Sequence, residues 1–429
     1  MPGKYYTPVR FALLFFFLTA LLLLRKPDLL TNPQFYAEDG SVFLRDQWVF
    51  PHTAVLIPYN GQFHLLPRTI ALFDSIFPLL AAPLLCSIVS VLVHALCLSI
   101  FFLPWNRWLI ENDLLRAAVC VVLATSLDGA EMIGFSGPLM WYLFLAGTLL
   151  LFRPDSAAPQ TARGRSTSIA AMAVIGMSVA PMMTLTPLAI WLAIKRRGVQ
   201  RILAVTLLAA MVVQVFALVF SQRSDHAAAV EGGAFMLACQ VEASTVVSWA
   251  YAGVVTPLAG KHLALVMSKL PTIGPPLSVV IGLTIVVTWL LTVSPPHQRI
   301  RLAIGLYLAV GTLASALFTR NLLWLSWNLN SNAAATPARY VFLAGALLVY
   351  MVCLLIQRLP LRDPRLQAVC LVLLFGWGIR HNFYQQPYPD FAWKTAAPKL
   401  VAWQAARAEG KPQKLDIPIM PAPWFISLP

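Results

Sequence analysis

The chain has 429 residues, of which 59% are hydrophobic and only 11% charged, with a mean hydropathy of +0.73. Soluble domains carry about 25% charged residues, so this composition excludes an ordinary soluble enzyme and points to a chain that faces lipid. The net charge of +14 would suit nucleic acid, but no stretch outside the apolar runs combines a basic stripe with interleaved aromatics; we expect no nucleic-acid partner and read the surplus as a topology signal.

Uncharged apolar runs occur at 9–24, 81–104, 114–129, 138–152, 168–180, 183–194, 199–220, 277–293, 302–320, 340–356 and 366–379, predicting an all-α polytopic membrane protein of about eleven transmembrane helices. A further apolar segment, 246–259, reads as re-entrant or interfacial. The first run follows a basic start and is closed by Arg25 and Lys26 without a small-residue cleavage site, which favours an uncleaved first span. Basic residues gather at the short ends that this count places in the cytoplasm, as at Lys195, Arg196, Arg197 and Arg201, so the N-terminus is expected inside and the C-terminus outside. Among the acidic residues only Glu111, Asp113, Asp155 and Asp363 fall on that inner side.

The membrane domain is expected over 1–379, with a first outer loop at 25–80 carrying interfacial helices and a central outer loop at 221–276. The outer-face tail, 380–429, reads as a short helix opening at Pro398 and stopped by Gly410, then an extended apolar segment, "LDIPIMPAPWF". The six cysteines fall singly without metal-ligand spacing and read as small core hydrophobes.

The first loop contains "NPQFYAEDGSVFLRD", in which Glu38 and Asp39 are adjacent. Three readings of the pair stand side by side. Asp39 with Gly40 forms a loop turn that caps a helix starting around Ser41; or the acids bind a cation, which needs more oxygen ligands than the loop shows; or one of them takes the proton of an attacking hydroxyl. The same loop continues with "IPYNGQFHLLPR", adding Tyr59, Asn60, Gln62, His64 and Arg68, a set of donors, acceptors and aromatic faces suited to a sugar, or to an interfacial helix at headgroup level. The turn "SLDGAEMIGFSGPLMWYL" holds Asp128, Glu131 and Trp141, where the acids equally serve helix ends. No GxSxG, HExxH, P-loop or strand-preceded GxGxxG is present, and no histidines pair at i,i+4.

A first span, an outer loop with "AEDG", interfacial helices, short outer turns and a late "RY" resemble the GT-C class of membrane glycosyltransferases, which use polyprenyl-phosphate sugars. The resemblance implies a sugar transferase acting on a glycan or lipid acceptor at the outer face, in a bacterial inner membrane. It implies Asp39, or else Glu38, as general base, with Asp128, Glu131 and Trp141 contacting the acceptor or donor. Arg339, at headgroup depth before Tyr340, suits the donor phosphate through its forked guanidinium, or serves as an interfacial anchor. The residues leave open whether Mg²⁺ or Mn²⁺ assists. A lipid-linked glycan transporter or flippase, a glycan polymerase or ligase, and a non-catalytic membrane subunit are the competing readings.

Overall fold

The computed structural model describes residues 8–127, 129–154, 161–220, 243–268, 274–319, 338–411 and 413–429. Each run expected to be helical contains helix where described, though the helices at 82–100 and 113–125 stop short of the expected ends and the run at 366–379 is divided at Phe375. In chain order the main helices are α1 (Pro8–Arg25), α2 (Asp28–Thr31), α3 (Arg45–Val49), α4 (Leu65–Ser75), α5 (Ala82–Ile100), α6 (Asp113–Thr125), α7 (Leu139–Leu151), α8 (Ala162–Ser178), α9 (Thr186–Lys195) and α10 (Gly198–Phe220). They continue with α11 (Ala243–Ser268), α12 (Gly274–Val293), α13 (Pro296–Thr319), α14 (Ala338–Ile356), α15 (Pro364–Leu374), α16 (Gly376–Asn382) and α17 (Trp393–Ala408). Several starts are written in the sequence. Asn112 caps α6 by accepting from the amides of Leu114 and Leu115, and Asp363 caps α15, whose first residue is Pro364.

Among the described residues, α1, α5 and α10 are long and apolar enough to cross a membrane. The segments at 162–178 and 180–195, expected as two spans, form one pair bent by 114°, a broken span or a re-entrant hairpin. Helices α7 and α15 are apolar but shorter, at 13 and 11 residues, than the ~20 residues that span a bilayer untilted. The segment expected as re-entrant is helical within α11, whose path breaks at Gly260 (φ 78, ψ 160), three residues after Pro257.

The helix bundle is tied at one end by Arg25. This side chain is 2% exposed, and its guanidinium donates to the carbonyls of Phe383, Ala124, Leu127 and Asn382 at 2.6–3.1 Å. The partners at Ala124, Leu127 and Asn382 belong to the C-terminal ends of α6 and α16, where unpaired carbonyls and the negative end of the helix dipole favour a cation. Asn382 extends the knot by donating to Ser126 and Thr256, so α1, α6, α11 and α16 meet there.

The C-terminal segment differs from the expectation. Helix α17 starts at Trp393, five residues before Pro398, which lies exposed within it; Gly410 (φ 74) stops it as expected. The extended residues pair with each other as an antiparallel hairpin, β1 (Leu415–Pro418) with β2 (Phe425–Leu428), register Leu415 to Leu428. The hairpin and α17 lie against the 25–80 segment. Met420 bridges Tyr36, Arg45 Nε donates to the Ser427 carbonyl at 2.7 Å, and Arg407 donates to the carbonyls of Trp48 and Val49. Trp393 Nε1 donates to Leu79 O at 3.1 Å. A Cβ on Gly40 would stand 3.0 Å from Ile419 and 3.3 Å from Ile426, so the glycine after Asp39 leaves room for the hairpin to pack there.

The Arg25 knot gives a stability test. Arg25→Gln strands buried carbonyls and should destabilise the protein by about 2–4 kcal/mol, read as a lower thermal unfolding midpoint in detergent. Arg25→Lys should recover little, because one ammonium cannot reach four carbonyls. An unchanged midpoint would show that the knot does not hold the bundle.

Candidate functional site

The acidic pair opens a short π-helical segment, Asp39–Leu44, that runs directly into α3. The helix therefore begins at Asp39 rather than near Ser41, and the Asp39 carboxylate does not cap it. That carboxylate is 4% exposed and turned toward the start of α7. Oδ1 accepts from Ser136 Oγ at 2.5 Å and from Gly137 N at 3.3 Å, while Oδ2 accepts from Ser136 N at 3.0 Å and lies 3.9 Å from Cys86 Sγ on α5. Glu38 is only half-buried and stays outside this set of contacts.

A second carboxyl completes the arrangement. Asp74, near the end of α4, is 1% exposed, and Cys86 bonds to it as well, so one thiol lies between two buried acids. Burial raises the Asp39 pKa to about 7 against the pull of the Ser136 and Gly137 hydrogen bonds, with the Glu38 charge adding to the rise. Burial, then the charge of Asp39, raises Asp74 to about 8.

The same segment is braced by an ion pair. Arg68 on α4 is fully buried, and both its Nη atoms donate to Asp46 Oδ2 at 3.1 Å; Arg45 holds Asp46 Oδ1 at 3.0 Å. Arg68 thus joins α4 to α3, and its guanidinium is already engaged by a carboxylate. Tyr59, Asn60, Gly61 and Gln62 form a two-residue hairpin turn: Asn60 (φ 49) and Gly61 (φ 76) both take positive φ, and the backbones of Tyr59 and Gln62 bond each other. Gln214 of α10 clasps Phe63 just after it. The rings of Tyr59 and His64 lie 6.2 Å and 5.5 Å from Phe43, one turn beyond Asp39. The expected sugar-binding residues of this loop therefore flank the Asp39 segment, with the Asn-Gly pair making the turn.

On the other flank is an aromatic cluster. Tyr36 stacks on Phe135 at 4.6 Å between ring centres, and Tyr388 lies 5.5 Å and 5.9 Å from the two. Tyr36 Oη donates to Glu131 Oε2 at 3.5 Å. Lys26 Nζ sits 3.7 Å above the Tyr388 ring and 3.0 Å from Asp28; burial lowers its pKa. Glu131 and Tyr36 are thus brought within a few residues of Asp39, and Trp141 is buried in the first turn of α7 just past Ser136. Asp128 lies outside the described residues, as do the side chains of Arg339 and Tyr340, whose backbone opens α14.

Sequence reasoning missed Asp74, Cys86, Ser136, Lys26 and Tyr388. Asp74 carried a signal, a lone acid in the apolar run "IALFDSIF"; Ser136 and Tyr388 carried none. Among the described residues no group of three or more His, Cys, Asp or Glu side chains is placed to hold a metal ion. No family model, curated protein or solved structure is significantly similar to this chain.

The buried acids set a pH dependence. In the folded chain Asp39 and Asp74 keep their protons up to about pH 7 and 8, whereas an ordinary Asp releases its proton near 3.8. Between those limits the folded state binds more protons than the unfolded one, so stability falls as pH rises. Thermal unfolding midpoints should drop from pH 5 to pH 8, and Asp39→Asn with Asp74→Asn should flatten that slope. An unaltered slope in the double variant would show that both carboxyls titrate in the ordinary range.

Proposed function

We propose that this chain is a polytopic membrane glycosyltransferase of GT-C type, with about eleven crossings. It moves a sugar from a polyprenyl-phosphate donor to a glycan or lipid acceptor at the outer face of a bacterial inner membrane. The observation that carries the reading is the Asp39 carboxylate, buried, lifted to about 7 and set beside an aromatic cluster that contains a cation and a second carboxylate. A base whose pKa lies near the working pH is both available and strong enough to accept a hydroxyl proton.

In the reaction the acceptor oxygen attacks the anomeric carbon, the bond from that carbon to the phosphate oxygen breaks, and polyprenyl phosphate leaves. The acceptor proton passes to Asp39, either directly or through the Ser136 hydroxyl at 2.5 Å, which hands its own proton to Oδ1 as it receives the acceptor's. The faces of Tyr36 and Tyr388 suit the apolar face of a pyranose or furanose ring, and Lys26 and Glu131 suit its hydroxyls. Donor phosphate is assigned to Arg339, since Arg68 is committed to Asp46.

One observation favours a second reading: both Asp39 oxygens already accept hydrogen bonds from the Ser136–Gly137 turn, as a purely structural tie would. The two separate on turnover. The purified chain, given labelled polyprenyl-phosphate sugars and acceptor glycans, should transfer sugar, and Asp39→Asn should lower the rate about 10²–10⁴-fold with the unfolding midpoint at pH 5 little changed. Glu38→Gln should keep most of the activity. Full turnover in Asp39→Asn would leave the carboxylate as a structural tie, and donor binding without turnover in the wild type would favour a lipid-linked glycan transporter.

A further inference from the structure

Two adjoining cavities lie far from the acidic site. Helices α5 and α7 both start beside Asp39, at Ala82 and Leu139, and both end at these cavities, where Phe101 and Phe152 follow their last turns. At 1.5 Å per residue the 19 residues of α5 separate the two places by roughly 28 Å, close to the thickness of a bilayer core. The inner cavity, about 500 Å³, is walled by apolar side chains such as Phe144, Leu149, Leu308 and Leu347. The outer one, about 580 Å³, is polar and includes Arg107, Arg301, Arg362, His297 and Gln298, with Glu111 its one carboxylate. Trp108, Leu109, His297 and Arg301 line both.

The cations in the outer cavity differ in how they are engaged. Arg107 is bound at 3.1 Å and 2.9 Å by Asp113, so its charge is matched locally. Arg301 lies over the Trp108 ring at 5.0 Å and interacts with the Tyr350 hydroxyl, and Arg362 makes no hydrogen bond or ion pair with the described residues. A polar cavity lined by arginines, sharing a wall with a chamber whose lining is apolar apart from Thr148, Arg196, Gln200, His297, Arg301 and Tyr350, matches a molecule with an anionic head and a hydrocarbon chain.

We infer that this pair of cavities binds an anionic phospholipid, its phosphate held by Arg301 and Arg362 in the outer cavity and one acyl chain in the inner one. The site stands apart from the acidic site and does not depend on sugar transfer. A guanidinium forks onto phosphate oxygens, and the arginines lie at a helix end, the depth at which headgroup phosphates reside. The inner chamber removes chain methylenes from solvent without requiring any polar partner.

The full chain purified in detergent and titrated with phosphatidylglycerol should retain it in native mass spectra and gain in thermal unfolding midpoint, with phosphatidylcholine weaker by about tenfold or more. Arg301→Gln and Arg362→Gln should each weaken binding roughly tenfold or more, and both positions are surface enough to leave folding intact. Ala346→Phe, which fills the inner chamber, should abolish binding of the diacyl lipid. Equal binding of phosphatidylcholine would overturn the proposal, as would unchanged phosphatidylglycerol binding in the arginine variants. Protection by inorganic phosphate as strong as that by the lipid would also overturn it, since the chamber would then contribute nothing.

Discussion

The arrangement depends on a carboxylate that has been taken out of water. Asp39 is buried to 4% exposure, and a charge in that position is unfavourable unless it is matched by donors or neutralised by a proton. Both remedies are present. The backbone and side chain of Ser136 and the Gly137 amide supply donors, and the raised pKa shows how incompletely they offset the burial. To supply them, the turn before α7 must meet the start of the π-helical segment. That requirement brings the first loop against the helix bundle and puts Tyr36, Phe135 and Glu131 in one place.

The remaining polar ties in this region serve the same end. Asp46 and Arg68 join α3 to α4, and Asp74 with Cys86 joins α4 to α5, so the loop forms a braced layer of short helices. Neither tie involves a residue that solvent reaches. Buried polar pairs of this kind are weak sources of net stability, but breaking one partner leaves the other stranded, which makes them strict about geometry. On α5, Cys86, Ser90 and His94 recur every four residues as a buried polar stripe running inward from the acids, and His94 stacks on Tyr142 at 3.5 Å.

Helices were legible in the sequence because an apolar run sets a local periodicity, and their caps at Asn112 and Asp363 are local too. Length decided less well. The runs at 168–180 and 183–194 read as two crossings, yet the bend of 114° between them is set by packing that no window of sequence contains. The acidic pair was legible as an unusual feature, but its partners were not, since Ser136 is 97 residues away. Asn60-Gly61 carried a clear turn signal that ligand chemistry obscured: the pair is there for its positive φ. The C-terminal hairpin was legible only as extended chain, because docking Met420, in the connection between β1 and β2, on Phe35 and Tyr36 requires contacts across most of the sequence.

The packing of that hairpin on the first loop constrains every path the chain can take between them. Residues 35–49 and 415–428 touch directly, so they occupy one side of any membrane the bundle crosses. A chain that leaves one face and returns to it must cross an even number of times. Each hydrophobic segment between Ala82 and Asn382 is therefore coupled to the rest by parity: if one is a re-entrant hairpin rather than a crossing, another must change with it. An arrangement of ten crossings after the first loop satisfies the rule, as does eight, whereas nine would tear the C-terminal strands away from Asp39.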